Sequence, residues 1–439
     1  MAWTSVLDGE RRAAALEVAY EVARRASDRN CIADSLTAAR EQTQFPKTLR
    51  WRPHSVADGD AGVALMCSYL DRCAPADRWD KVAHDFLSNA IEAQRATSLR
   101  LGLFAGLNGL AFTTAELSRD GTRYQRLLAE LDYAVMPAAH AMAEGLLRAP
   151  EPRGVGAFDA ISGASGVVAQ LLGRDAATDA LKRLLEGLVS LAAPADGPPR
   201  WMTPAAFIAH EETARRYPWG NLNCGLAHGI PGPLASLALA LRAGVDVEGH
   251  RRATRTFADW LASHRSDDRY GVNWPTMVPL PPPGKPDVDP ARVSPSRSAW
   301  CYGSPGVARA LWLAGEALDD ASLRALAVEA ILAVHKRPVA ARQIPSPTFC
   351  HGVAGLLQIV LRFAHDTGMR ELAGAAATLV DELLAAYEPE RTLGFASLEP
   401  GGNAVDRAGL LDGAAGIVMV LLAAATDVEP TWDRLFLLS

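Results

Sequence analysis

Seven times along this chain a Gly-x-x-Gly element runs straight into an apolar stretch. The pairs are Gly59/Gly62, Gly106/Gly109, Gly163/Gly166, Gly229/Gly232, Gly303/Gly306, Gly352/Gly355 and Gly413/Gly416. Successive first glycines stand 47, 57, 66, 74, 49 and 61 residues apart, room each time for two helices and two loops. The stretch after each second glycine is apolar on most sides, as in Ile417-Val418-Met419-Val420-Leu421-Leu422, and a helix with no polar face is a buried helix. The segments between, such as Asp179 to Leu188 and Arg324 to His335, carry charge on one face and predict outer, amphipathic helices. One such pair cannot bury its apolar face alone, whereas seven closed into a ring can. The pattern predicts an all-α fold, an α/α toroid of about fourteen helices with little sheet. A single domain over 1–439 is expected, with the repeats at about 50–430 and residues 1–50 as an N-terminal helical extension. The paired glycines predict tight packing, or positive φ, where a loop enters each buried helix.

At 439 residues, 49% hydrophobic and 21% charged, the chain has an ordinary globular make-up and length enough for a large core. A net charge of −6 argues against nucleic-acid binding, which calls for a basic surface. The start, Met1-Ala2-Trp3-Thr4 and then Glu10-Arg11-Arg12, lacks the apolar core of a signal peptide. No membrane span is expected, because the longest apolar run, Ala414 to Ala425, is too short. A cytoplasmic chain is expected, reaching a membrane only through a biosynthetic complex. Six cysteines, sparse and irregular, predict free thiols or metal chemistry rather than a disulfide framework. Neither a Walker A sequence nor a Gly-x-Gly-x-x-Gly after a strand is present, so nucleotide binding has no support.

Just ahead of the seven first glycines stand Asp58, Ala105, Ser162, His228, Tyr302, His351 and Asp412. One place earlier stand Ala57, Phe104, Ile161, Ala227, Cys301, Cys350 and Leu411. Equivalent repeats bring these residues to one mouth, where helix N-termini favour anions and thiolates. Two of the six cysteines and two of the ten histidines fall in these rows, more than chance placement supplies. Cys301, Cys350 and His351 make a candidate zinc (Zn2+) triad, since zinc takes thiolate sulfur and imidazole and a catalytic site leaves one position open. The neighbours Cys350 and His351 would diverge on a regular helix, but in a glycine-flanked loop both can turn toward one ion. Two cysteinates and a zinc ion sum to zero charge, so a third thiolate binds readily and stays nucleophilic. That suits thiol addition to an activated alkene better than hydrolysis. His228, within Gly225-Leu226-Ala227-His228-Gly229, is either a capping histidine or a general acid/base able to protonate an enolate.

These residues resemble the lanthionine synthetase C-like family. Its motifs match Gly225-Leu226-Ala227-His228-Gly229, Trp300-Cys301-Tyr302-Gly303 with Pro305-Gly306, and Cys350-His351-Gly352, in that order, and the resemblance covers about residues 50 to 430. It implies an α/α toroid, zinc held by Cys301, Cys350 and His351, and His228 as the acid/base residue. It also implies catalytic roles for Asp159 in the third repeat, for Arg297 four residues before Cys301, and for Tyr302 just after it. The residues alone also allow plainer roles: a helix cap for Asp159, a solvated loop charge for Arg297, packing for Tyr302.

The implied activity is that of a stand-alone lanthipeptide cyclase, which adds cysteine thiols to dehydroalanine or dehydrobutyrine to form lanthionine or methyllanthionine rings. The implied partners are a dehydrated precursor peptide with its leader, a separate dehydratase and a transporter. Either His228 or Asp159 would take the thiol proton, with Arg297 holding Asp159 or the peptide. The alternative is a non-cyclase member that binds zinc and glutathione or a regulatory partner. A carbohydrate-active or terpene-processing toroid would need paired carboxylates, for which Asp58 and Asp412 sit in suitable repeats, but a sulfur-rich zinc site has no use there. Eight prolines between Trp274 and Ser296 exclude helix just ahead of Arg297 and predict a surface loop, or a wall beside the peptide entrance.

Overall fold

The computed structural model describes residues 2–97, 100–119, 121–148, 154–174, 178–195, 197–208, 210–285, 293 and 296–439. The chain divides into two compact units. The first comprises Met1–Arg100, Phe104–Leu131 and Gln343–Asp433, and the second Leu101–Leu103, Asp132–Arg342 and Arg434–Ser439.

Each Gly-x-x-Gly element starts an apolar helix, as the repeat pattern predicts. In the first unit these helices are Asp60–Cys73, Leu107–Leu117, Val353–Thr367 and Ala414–Ala425. In the second they are Ala164–Leu171, Pro231–Arg242 and Ser304–Leu318. Every residue of Ala414–Ala425 is buried. Amphipathic helices pack on them. Trp79–Arg95 lies on Asp60–Cys73, Arg370–Ala385 on Val353–Thr367, Thr178–Leu191 on Ala164–Leu171, His250–Ser263 on Pro231–Arg242, and Ala321–Lys336 on Ser304–Leu318. Thr178–Leu191 shows why: Leu181, Leu184, Leu185, Leu188 and Leu191 recur at helical spacing and are all buried.

The first fifty residues do more than extend the chain. Helix Gly9–Ala26 is the outer partner of Ala414–Ala425. The last carbonyls of a helix have no partner within it. Here Trp3 Nε1 donates to the carbonyl of Ala423 at 2.9 Å, the Val6 N–H to that of Ala424 at 3.2 Å, and Arg12 Nε to that of Ala425 at 2.8 Å.

The glycines earn their place mainly by close approach. A Cβ on Gly62, Gly166, Gly306 or Gly416 would lie 2.2, 2.3, 2.5 or 2.1 Å from the carbonyl oxygen of Val56, Ala160, Trp300 or Leu410. Each of those carbonyls sits six residues upstream. Among the described residues of the seven pairs, only Gly303 has a positive φ, 121°, and its Cβ would stand 1.6 Å from the Arg297 oxygen.

Backbone hydrogen bonds lace the loops ahead of these helices side by side. In the first unit the Val56 and Ala57 N–H groups donate to Phe104, those of Leu410 and Leu411 to Ala57, and that of Cys350 to Leu411. In the second, Leu103 donates to Ile161, Ala160 to Ala227, and Ala227 to Cys301.

Strand content is slight: among the described residues, three antiparallel ribbons, Asn221–Asn223 with Met277–Pro279, Ser266–Asp268 with Gly271–Asn273, and Ala396–Leu398 with Ala404–Asp406. The start of the proline-rich segment is thus a strand, paired to the stretch that leads into the His228 loop, rather than plain surface loop. Its Pro286, Pro290 and Pro295 lie outside the described residues. Among the described residues no helix is long and apolar enough to cross a membrane.

One ion pair lies deep in the first unit. Asp433, fully buried, accepts from Arg362 Nε at 2.6 Å and NH2 at 2.8 Å, and from Gln358 Nε2 at 2.7 Å. Asp433→Ala is expected to lower stability by about 3 kcal/mol, because it leaves the buried Arg362 charge with only the largely exposed Glu429, 3.0 Å away, as counter-charge. A chemical-denaturation midpoint measures this. A double change to Arg362→Met with Asp433→Leu should recover most of the loss, and failure to do so would show that packing, not charge, holds the pair.

Candidate functional site

Chemistry-bearing side chains gather in two clusters, one in each unit. In the second unit the short turn Val155–Ala157 delivers Asp159 to the foot of helix Ala164–Leu171. Its buried carboxylate is divided between two tasks. Oδ1 accepts the N–H groups of Ser162 and Gly163, both at 2.8 Å, which is the capping role. Oδ2 stands 2.7 Å from Nδ1 of His228. The capping reading of Asp159 is met, and the same carboxylate also touches His228. A carboxylate oxygen is an acceptor, so this contact places a proton on Nδ1 and leaves Nε2 as the ring atom that Asp159 does not engage. The His228 side chain is 38% exposed and that of Asp159 3%, so the imidazole is reachable while its anchor is not.

Tyr302 lies beside this pair, its ring centroid 6.3 Å from that of His228. Asn223 Nδ2 donates to its hydroxyl at 3.1 Å, and Asn223 Oδ1 accepts the Gly225 N–H at 2.9 Å. A Cβ on Gly225 would meet the Tyr302 ring at 2.5 Å and the Cys301 oxygen at 2.6 Å, so this glycine lets the two loops lie flush. Cys301 is buried, and its carbonyl accepts the Ala227 N–H at 3.3 Å. Arg297 does not hold Asp159, whose oxygens face the backbone and His228. It is exposed, and among the described residues its side chain joins no ion pair.

In the first unit Cys350, His351 and Asp412 offer a sulfur, a ring nitrogen and a carboxylate oxygen that all lie within 4.8 Å of one another. The loop makes this possible. The Cys350 N–H is tied to Leu411 at 2.9 Å, and Gly352 starts helix Val353–Thr367 immediately after. Two neighbouring side chains thus reach one cluster. Nδ1 of His351 is 3.4 Å from Oδ1 of Asp412, and that oxygen is buried with no hydrogen-bond partner among the described residues. Next to Asp412, burial and then the Asp412 charge push the Asp58 carboxyl up to about 6, against the pull of Arg407 and Arg52. A thiol, an imidazole and a carboxylate are the donor types zinc takes, and a buried carboxylate oxygen without a partner is what a cation would satisfy. The residues fit a zinc ion.

Of the residues singled out in the sequence, His228, Asp159 and Tyr302 come together in the second unit, with Cys301 on the same laced loops. Cys350 and His351 come together in the first. Sequence reasoning put Asp412 at the same mouth as His351 but not among the candidate metal donors, and it missed Asn223 as the anchor of Tyr302. The first had a signal, since Asp412 stands in the same row as His351 one repeat later. The second had none.

The family described as lanthionine synthetase C-like protein matches residues 50–437. The nisin biosynthesis protein NisC of Lactococcus lactis subsp. lactis is 24% identical over 398 residues, covering 88% of each chain. The solved structure of a nisin cyclase superposes with a TM-score of 0.74 at 21% identity, covering 94% of this chain and 98% of that one. The fold is the all-α, α/α-toroid class that the repeats predict. By the extent of that family match, the chain belongs to the lanthionine synthetase C-like family.

Proposed function

We propose that this protein is a zinc-dependent lanthipeptide cyclase. It closes thioether rings by adding peptide cysteine thiols to dehydroalanine or dehydrobutyrine. What carries the reading is the presence, in a chain of this family, of a zinc-type donor cluster at Cys350 and His351 and of a reachable histidine held by Asp159. Cys301, placed in the family's motif, is the third ligand. Zinc bound there would supply thiol activation, lowering the thiol pKa so that the thiolate exists near neutral pH.

The residues of the chain do the rest. Asp159 keeps the imidazole of His228 oriented, with Nε2 as the working atom. Nε2 accepts the thiol proton and delivers it to the α-carbon as sulfur bonds to the β-carbon. The S–H adds across the C=C bond, so nothing is oxidised or reduced. Tyr302, held by Asn223, forms a wall beside His228. Arg297, exposed and in the loop before Cys301, is placed to meet the peptide. The substrate is a precursor peptide whose leader is recognised and whose serines or threonines a separate dehydratase has dehydrated, and a transporter would take the product. None of the six cysteines is joined in a disulfide, in keeping with a cytoplasmic site of action.

Ring closure leaves peptide mass unchanged but removes one alkylatable thiol per ring. Zinc-loaded protein incubated with a dehydrated, cysteine-containing peptide should therefore abolish alkylation of that peptide well ahead of the protein-free reaction. Thiol loss no faster than that control, with zinc bound, would reject the cyclase and leave a thiol-binding member of the family.

A further inference from the structure

The groove beside His84 and Tyr124 and the exposed aromatics Phe207 and Trp219 offer surface, but nothing in the structure shows what covers them. Asn223 offers more, because this one buried residue holds both His228 and Tyr302 in place. It ends strand Asn221–Asn223, which pairs with Met277–Pro279 in the proline-rich segment. The next N–H, that of Cys224, donates to the Thr276 carbonyl at 3.1 Å, so the end of the strand is anchored. From there Asn223 reaches three ways. Its carbonyl accepts the Ile230 N–H at 3.1 Å, and its Oδ1 accepts the Gly225 N–H at 2.9 Å. These two bonds fix both ends of the turn that carries His228. A Cβ on Gly229 would stand 2.2 Å from the Asn223 carbonyl oxygen, so the residue after His228 sits directly on Asn223. The third reach is Nδ2, which donates to the Tyr302 hydroxyl at 3.1 Å.

The direction of that last bond follows from the chemistry of an amide, whose oxygen accepts and whose nitrogen only donates. Oδ1 is committed to the Gly225 N–H, so the Tyr302 oxygen is the acceptor of Nδ2 and its own proton points away from Asn223. We propose that Asn223 is a positioning residue for ring closure: it sets Tyr302 against His228 and turns the phenol to meet the peptide as a hydrogen-bond donor. This rests on the cyclase reading above and goes beyond it. As sulfur bonds to the β-carbon, negative charge moves onto the carbonyl oxygen of the dehydro residue and stays there until the α-carbon takes its proton. A donor aimed where charge develops favours the transition state over the ground state. Tyr302 keeps its proton throughout, and His228 handles the one that moves. A hydroxyl whose oxygen already accepts a hydrogen bond also donates more strongly, so the Asn223 bond helps twice.

The test uses the full, zinc-loaded chain and a synthetic peptide carrying one dehydroalanine and one cysteine, with ring closure followed as loss of alkylatable thiol. Asn223→Asp keeps the shape of the side chain and an acceptor for the Gly225 N–H. An ionised carboxylate has no donor, however, so the Tyr302 proton turns toward it and away from the peptide. Tyr302→Phe removes the hydroxyl and leaves the ring. Each change is expected to lower kcat about tenfold, the effect of one hydrogen bond, with KM within about twofold of wild type and zinc content unchanged. The double variant is expected to be no slower than the slower single one, because both changes remove the same bond to the peptide. Independent losses would instead multiply, to about 100-fold. A multiplied loss overturns the proposal, as does wild-type kcat in either single variant, an effect confined to KM, or loss of zinc from Asn223→Asp. A wild type that consumes thiol no faster than the protein-free reaction removes the cyclase reading itself, and this proposal with it.

Discussion

Replacing Cys350 with alanine should empty the protein of zinc and stop ring formation in the same step. Cys350 shares its cluster with His351 and Asp412, and its sulfur is the only thiol among those three donors. Thiolate is the donor that lets zinc keep a further thiol nucleophilic, so no neighbouring group substitutes for it. Loss of an outer group that merely supports a ligand costs about 10–100-fold in metal affinity or activity, and loss of a ligand should exceed that. Elemental mass spectrometry of purified wild type should find one zinc per chain, and Cys350→Ala far less. The loop itself should survive, because the Cys350 N–H bond to Leu411 is made by backbone and not by the thiol. A variant that retains its zinc would remove Cys350 from the site. A wild type without zinc would break the mechanism at its first step.

His228→Ala should have the opposite signature, with zinc retained and rate lost. His228 lies in the second unit, bonded to Asp159 at 2.7 Å, and is not a proposed metal donor. General acid/base catalysis contributes about 10²–10⁴-fold, so ring closure should slow by that factor. Asp159→Asn offers a second reading of the same contact. The amide can present an N–H to Nδ1, which drives the imidazole to the wrong tautomer and turns Nε2 into a donor. Its loss should approach that of His228→Ala, although the side chain can still accept the N–H groups of Ser162 and Gly163. Ring formation at the wild-type rate in His228→Ala with zinc bound would exclude the histidine from proton transfer.

The repeat made much of the fold legible. Seven glycine pairs located seven buried helices, because a glycine that must seat against a carbonyl leaves a mark at a fixed place in the chain. The outer helices lack such a mark. Gly9–Ala26 carries only an ordinary amphipathic pattern, so its partnership with Ala414–Ala425 had to be seen. In the site, rows of equivalent positions brought out Cys301, Cys350, His351 and His228. The bond between Asp159 and His228 was out of reach of spacing, since the two stand 69 residues apart in different repeats. Arg297 shows the reverse limit. The resemblance had it holding Asp159 or the peptide, and of these the structure has the Asp159 oxygens occupied by backbone and imidazole. Which way a loop side chain turns depends on neighbours that are distant in the chain.

The bonds that lace one loop to the next run from backbone to backbone, as do the seats of the second glycines. Neither asks what the surrounding side chains are. A lineage can therefore exchange most of its helix residues for others of similar volume without losing the alignment of its reactive groups, which explains how a relative with only 24% identity can be so fully alignable. It also tells an engineer where latitude lies. Outer helix faces can be rewritten to suit a new peptide or a new partner protein, whereas a single methyl added at Gly62, Gly166, Gly306 or Gly416 pushes against a carbonyl that has nowhere to go.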